Sequence, residues 1–309
     1  MKEPLVFILI LNWKSALDTI ECVESVEKSD YTNYKIVIID NGSPDDSEKI
    51  LCGRFPQHHF IQTGKNLGYA GGNNIGIRFA LERQAEFVLI LNNDAILAAD
   101  VLQIFIGASL IYSQGGIFAP KIYDRQGTQN VYSAGVVWDP KELTFVDLKN
   151  SISNQNDFMT PKTIDFATGC ALFIKTEVFQ KVGLFDPRFF LTWEDIDYCY
   201  QARKYDYQTM IIPQAKVWHK LSASFEGGHK GPQFQYYSMR NRFLWVEKNL
   251  KGSERIKVFF KFTKDVYTTM RALCHRRVPP EQTLILKSGL LGAFDYVIRH
   301  FGVGRYKTS

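Results

Sequence analysis

The chain has 309 residues, 45% apolar and 22% charged, which excludes a disordered tail protein and a fibre. Its net charge of +5 is unevenly spread. From Arg240 onward fifteen Lys and Arg stand against five Asp and Glu, whereas the residues before it hold twenty-two cations and twenty-seven acids.

Five cysteines at wide gaps, with no Cys-x-x-Cys, argue against a disulfide framework or a thiolate zinc site and suit a reducing compartment. The apolar run 5–11 is closed by Asn12 and Lys14; it is too short to span a membrane, has no small-residue cleavage site after it, and reads as a buried strand. The spacing predicts an amphipathic helix over 15–27 and a second strand over 35–40 that ends in the turn Asn41-Gly42-Ser43-Pro44. A helix over 45–51 follows, with acids in its first turn where the helix dipole favours them. Then come a short strand near Phe60, a helix over 69–83 and an apolar strand over 87–91. This alternation predicts an α/β fold, a mostly parallel central sheet flanked by helices, with ligands beyond the carboxyl ends of the strands. Residues 130–165 are polar and irregular, with weak strand signals over 131–138. Beyond them the pattern gives a strand, a helix over 176–182, a helix over 194–205 and a strand over 208–212; after Gln233 the rest reads as helices.

The strand ends carry the first chemistry. Asn12, Asp40 and the triplet Asn92-Asn93-Asp94 each follow a strand and should gather along one sheet edge. An acid after the second strand can hold ribose hydroxyls or a base N–H; a plain turn also accounts for Asp40. The triplet offers three oxygen donors to a hard cation, but with one carboxylate it would need a diphosphate and another protein ligand; Asp94 or Asp100 could equally cap the next helix. The glycine-rich stretch 64–74 opens a helix and suits a phosphate or a sugar nucleotide, or simply close helix–sheet packing. It matches neither a P-loop nor a dinucleotide fingerprint. In Trp193-Glu194-Asp195-Ile196-Asp197 the acids either favour the helix dipole or supply a general base, with Trp193 as a platform for a sugar ring. Helical spacing marks Ile196, Cys199, Tyr200 and Arg203 as the packed face, with Arg203 at its edge. His219, just after the last strand, becomes a candidate ligand if it meets Asp94. Serine-hydrolase and zinc-protease motifs are missing.

Seven pieces in order resemble one known family: residues 10–13, 38–43, 66–74, 91–94, 168–171, 189–197 and 217–220. Together, over about 5–245, they resemble the family 2 glycosyltransferases of the GT-A (Rossmann-like) fold, in the branch with bacterial rhamnosyltransferases and galactofuranosyltransferases. The resemblance implies a metal-dependent, inverting transfer from a nucleotide-diphospho-sugar. It implies that Asp40, with Asn12 and Asn41, holds the base or ribose, and that Asn66, Gly68, Gly71, Gly72 and Asn73 line the nucleotide pocket. Asp94 then matches the last acid of the family's Asp-x-Asp motif, with Asn92 and Asn93 before it, and His219 completes the site for Mg²⁺ or Mn²⁺. Gly169 and Cys170 would shape the donor-sugar pocket, Asp195 would be the base, Glu194 its support and Trp193 an acceptor contact.

This gives a catalytic domain over 1–239, with a nucleotide-binding half to about 97 and an acceptor-binding half beyond it, and a basic helical C-terminal extension over 240–309. That extension reads either as an interfacial region docking on the inner face of the cell membrane or as helices packing on the domain or a second subunit. The expected partners are a dTDP- or UDP-sugar and a glycan or lipid-linked acceptor; no nucleic acid is expected. Two other classes compete. A sugar nucleotidyltransferase needs a glycine-rich basic loop where Asn12-Trp13-Lys14-Ser15 stands, and a non-catalytic glycan-binding module has no need of both Asp94 and Asp195.

Overall fold

The computed structural model describes residues 3–124, 130–151, 159–220, 231–274 and 278–306. The chain forms two compact units. One comprises Met1–Leu67, Gly71–Phe185 and Tyr198–Leu221; the other comprises Gly68–Ala70, Asp186–Asp197 and Ser222–Ser309.

The first unit is an α/β layer structure around one sheet. Strands β1 (Val6–Asn12), β2 (Tyr34–Asp40), β3 (His59–Gln62) and β4 (Phe87–Asn92) run parallel in the order β4-β1-β2-β3. Beyond β4 the sheet is mixed. There β11 (Ala171–Lys175) lies antiparallel between β4 and β6 (Gly115–Asp124), and β12 (Gln208–His219) runs parallel to β6. The short strand β5 (Ala95–Leu97) pairs with the end of β12. The continuous Val, Ile and Leu runs of β1, β2 and β4 are buried on both faces, which is what covered parallel strands require. Helices α1 (Ala16–Val26), α2 (Ser47–Arg54), α3 (Gly68–Glu82), α4 (Val101–Ile111) and α5 (Thr176–Val182) connect them. Phe87, Phe105 and Phe173 stack in the core at 4.7 and 5.0 Å between ring centroids.

Register sets the site. Asn12 pairs with Asp40 and Leu11 with Asn92, so the three polar strand ends share one edge as expected. His219 is the last residue of β12, opposite Ala95, rather than a residue after the strand. The strand expected over 208–212 continues because Pro213 falls in a bulge between Ile212 and Lys216, where no ladder N–H is needed. The irregular stretch over 130–165 lies partly outside the described residues; within them it forms β7 (Val131–Ser133), the hairpin β8 (Val136–Asp139) with β9 (Thr144–Asp147), and β10 (Lys162–Ile164).

In the second unit α7 (Pro232–Asn249), α8 (Gly252–Cys274) and α9 (Pro280–Val297) pack together. Tyr236, Tyr237, Phe243 and Trp245 of α7 are buried. A Cβ on Gly292 would stand 2.1 Å from the Tyr236 carbonyl, so only glycine lets α9 approach this closely. Among the described residues no helix is long and apolar enough to cross a membrane. Helix α6 (Glu194–Arg203) buries Glu194, Asp197, Tyr198, Cys199 and Ala202. Of the expected face Cys199 is buried, but Ile196 and Tyr200 are only half-buried, and Arg203 at its edge is exposed. The apolar period misleads because two acids occupy the buried stripe.

Candidate active site

Asp40 closes β2 and is fully buried. It is held by its neighbours: Asn12 Nδ2 donates to its Oδ2 at 2.7 Å, the Ser43 backbone N–H to its Oδ1 at 2.7 Å, and Gln62 Nε2 to Oδ1 at 3.2 Å. Asn12 Oδ1 accepts from Thr19 Oγ1 at 2.9 Å, and Asn93 Nδ2 donates to that hydroxyl at 3.0 Å. One hydrogen-bond chain therefore links the ends of β1, β2 and β4, and locks the orientation of each side chain.

The turn after β2 is tied to the entry of α3. Leu67 N–H donates to Asn41 Oδ1 at 3.0 Å, and Asn41 Nδ2 to Asn66 Oδ1 at 3.1 Å. Gly42 has φ +72°, and a Cβ there would stand 2.5 Å from the Lys65 backbone, so the turn demands glycine. Gly72 lies against the Leu11 side chain and Gly71 against Leu67. Close packing accounts for both. Asn73 is buried in the same helix.

At the other end of the edge, Asn92, Asp94 and His219 meet. Asp94 Oδ1 lies 2.9 Å from His219 Nε2, and Asn92 Nδ2 lies 3.2 Å from the same ring nitrogen. Asp94 and His219 are buried. Burial disfavours the charged imidazole, but neighbouring Cys170 and Asp94 outweigh it and hold the His219 pKa up, at about 10. Among the described residues, Asn92 Oδ1, both Asp94 oxygens and His219 Nδ1 lack a hydrogen-bond partner of good geometry. Buried polar atoms left open in this way are costly unless a ligand satisfies them, and the oxygens of Asn92 and Asp94 are the acceptors among them. No group of three or more His, Cys, Asp or Glu that could hold a metal occurs among the described residues. Asn92 Oδ1 and the Asp94 carboxylate are nonetheless oxygen donors of the kind a hard cation takes. Cys170, after the half-buried Gly169, accepts the Asn92 N–H at its carbonyl, at 2.8 Å. Cys22, which sequence reasoning passed over, donates its thiol to the Asn92 carbonyl at 3.4 Å; burial, then Asp94 and Cys170, push that thiol's pKa well up.

Trp193, Glu194 and Asp195 belong to the second unit, where they open α6. Asp195 is half-buried, with Oδ1 accepting the Ile196 N–H at 2.8 Å. Glu194 is buried with Oε2 unpaired, and burial followed by Asp195 raises its pKa well above the carboxylate range. The loop before them is strained, with φ of 64°, 63° and 74° at Phe190, Thr192 and Trp193. Gly68, φ +72°, sits where a Cβ would stand 2.3 Å from the Phe190 carbonyl.

Two residues missed in the sequence hold this loop. Arg240 is fully buried and donates to the carbonyls of Gly302 (2.8 Å), Arg188 (3.2 Å) and Phe189 (2.9 Å). Asn241 Nδ2 donates to the carbonyls of Phe189, Leu191 and Thr192 at 2.8–2.9 Å. Nearby Asp197 accepts from Lys248 at 2.6 Å and Asn249 at 2.8 Å. Trp193 Nε1 donates to Ser238 Oγ at 3.4 Å, and its ring lies 5.9 Å from that of Trp245.

The sheet order, with its polar strand ends along one edge, is that of an open α/β fold, which binds ligands at the carboxyl ends of its strands. The family model described as Glycosyl transferase family 2 matches residues 7–183. The low-salt glycan biosynthesis hexosyltransferase of Haloferax volcanii is 30% identical over 77% of this chain and 74% of that protein. The dTDP-rhamnosyl transferase RfbF of Shigella flexneri is 23% identical over 89% and 90%. Among solved structures, the Pyrobaculum calidifontis mannosyltransferase in complex with GDP-Man and Mn²⁺ matches with a TM-score of 0.61 at 13% identity, over 97% of this chain and 89% of that one. S. aureus TarS residues 1–349 match with a TM-score of 0.55 at 12% identity, over 99% and 94%. The chain belongs to glycosyl transferase family 2. It has the GT-A fold and is a glycosyltransferase.

Proposed function

We propose that this protein moves a sugar, L-rhamnose first among candidates, from a dTDP- or UDP-sugar to a hydroxyl of a growing, lipid-linked cell-surface glycan, with inversion at the transferred carbon. The observation that carries the reading is the buried Asp94–His219 pair with open oxygens at the carboxyl edge of the sheet. The names of the Shigella flexneri relative and of a Mycobacterium tuberculosis relative, an N-acetylglucosaminyl-diphospho-decaprenol L-rhamnosyltransferase, favour rhamnose and a lipid-diphosphate acceptor. A second reading, transfer of a hexose, is favoured by the name of the Haloferax volcanii relative.

In this reading Asp40, Asn12, Asn41 and Asn66 hold the nucleoside, and Gly68, Gly71, Gly72 and Asn73 line its pocket. Asp94 and His219 hold Mg²⁺ or Mn²⁺, with Asn92 and Asn93 beside them. A bound cation supplies charge neutralisation for the departing nucleoside diphosphate. Gly169 and Cys170 border the donor sugar, and Trp193 meets the acceptor. Asp195 takes the proton from the acceptor hydroxyl as that oxygen bonds to the anomeric carbon and the bond to the diphosphate breaks. Glu194, whose carboxyl burial and Asp195 push up, stands beside Asp195 as its support. Residues 1–239 form the catalytic domain, and 240–309 give peripheral contact with the inner face of the membrane. The test is a screen of nucleotide-sugars with Mn²⁺ by thermal shift, followed by transfer to a synthetic lipid-diphosphate acceptor. Stabilisation by dTDP-rhamnose supports the first reading, by a UDP-hexose the second, and by no nucleotide-sugar neither.

A further inference from the structure

Helix α8 carries two apolar stripes. One faces inward: Val258 is buried, and Phe259 and Phe262 meet Phe243 of α7 at 5.2 and 5.9 Å between ring centroids. The other faces out. Ile256, Phe260, Tyr267 and Met270 are 57, 70, 59 and 51% exposed, and Thr263 and Cys274 continue the line. These six positions step by four and three residues in turn, the 3.5-residue period of a seam that meets one continuous surface. Beside the seam Lys257, Lys264 and Arg271, all exposed, repeat every seventh residue. The acid Asp265 is turned away from them, to Arg242 of α7 at 3.0 Å.

The cation row decides what the seam meets. In an antiparallel pair with a second copy the two cation rows would face each other. In a parallel pair each row would need the opposite flank, Phe259, Val266 and Leu273, which is already half-buried in this unit. A surface of opposite charge with an apolar interior satisfies both stripe and row. We infer that the outward seam of α8 is a docking element for an anionic lipid surface, with Ile256, Phe260, Tyr267 and Met270 entering the head-group region and Lys257, Lys264 and Arg271 meeting lipid phosphates. This rests on the peripheral membrane contact proposed above and names the face and the lipid charge that produce it.

The test is flotation of the full-length protein with phosphatidylcholine vesicles, with and without phosphatidylglycerol and free of any glycolipid acceptor. The native protein floats with the anionic vesicles and not with the neutral ones. Phe260→Glu with Tyr267→Glu, and separately Lys257→Gln with Lys264→Gln and Arg271→Gln, lower binding at least about tenfold while thermal melting and transfer to a water-soluble acceptor stay unchanged. If the native protein ignores both vesicles, the seam and the membrane contact fall together. If both variants float like the native protein, the seam assignment falls and the membrane contact stands. If the native protein is dimeric in light scattering and the Phe260/Tyr267 variant is monomeric, a second copy covers the seam and the lipid assignment is overturned.

Discussion

Asp94, just past the end of β4, and His219, the last residue of β12, stand 2.9 Å apart and buried. They come from distant parts of the chain and meet because β5 brings the chain after β4 back against the end of β12. Asn92 Oδ1 and the Asp94 carboxylate oxygens beside this pair lack a hydrogen-bond partner of good geometry among the described residues, the observation on which the proposed cation site rests.

Asp195→Asn keeps the shape of the side chain and removes the carboxylate proposed as the base. Transfer falls by about a hundredfold to ten-thousandfold, and donor affinity measured by calorimetry stays within about twofold. Near-native turnover of the variant would remove Asp195 from the reaction.

Asn241 acts through the loop rather than on substrate. Asn241→Ala takes this donor from the carbonyls of Leu191 and Thr192, leaves that of Phe189 bonded to Arg240, and lets the strained loop before Asp195 relax. Transfer kcat falls more than donor KM rises, and the fold loses about 1–3 kcal/mol in urea titration. Arg240→Met leaves the Gly302 carbonyl without this donor, takes one donor from the Arg188 and Phe189 carbonyls, which keep others, and costs about 1–3 kcal/mol. A kcat that follows only the loss of folded protein would make the clamp purely structural.

Much of this was legible. A parallel sheet gathers its carboxyl ends, so Asn12, Asp40 and Asn92-Asn93-Asp94 could be placed on one edge before any coordinates. The Asp94–His219 meeting was indicated only by family resemblance, because no local pattern links the ends of β4 and β12. Pro213 disguised the length of β12, since a proline ordinarily ends a central strand. Arg240 was counted with the solvated charge of the tail, yet it is wholly buried, and its donors go to loop carbonyls that no periodicity reveals. The buried face of α6 was misread because Glu194 and Asp197 lie on it.

Acid will loosen the second unit through Asp186. Burial works to raise this carboxyl, but hydrogen bonds from Arg188 and the charge of Lys248 hold it down, at about 2. The depressed pKa stabilises the fold above the unfolded value near 3.8, and that share disappears as pH falls toward 2. After solvent screening it is about 1–2 kcal/mol. Asp186→Asn should lower Tm at pH 7 and flatten its decline between pH 4 and 2; an unchanged acid profile would contradict this.

The proposed donor site is completed by a cation on Asp94 and His219. The most direct measurement is calorimetric titration of the donor identified by screening, with and without Mn²⁺, into native protein and Asp94→Ala. The native protein binds donor at least about tenfold more tightly with Mn²⁺, and the variant shows no such gain and loses transfer by at least about a hundredfold. Donor affinity in the native protein that is indifferent to Mn²⁺, or a variant that keeps the full Mn²⁺ gain, would contradict it.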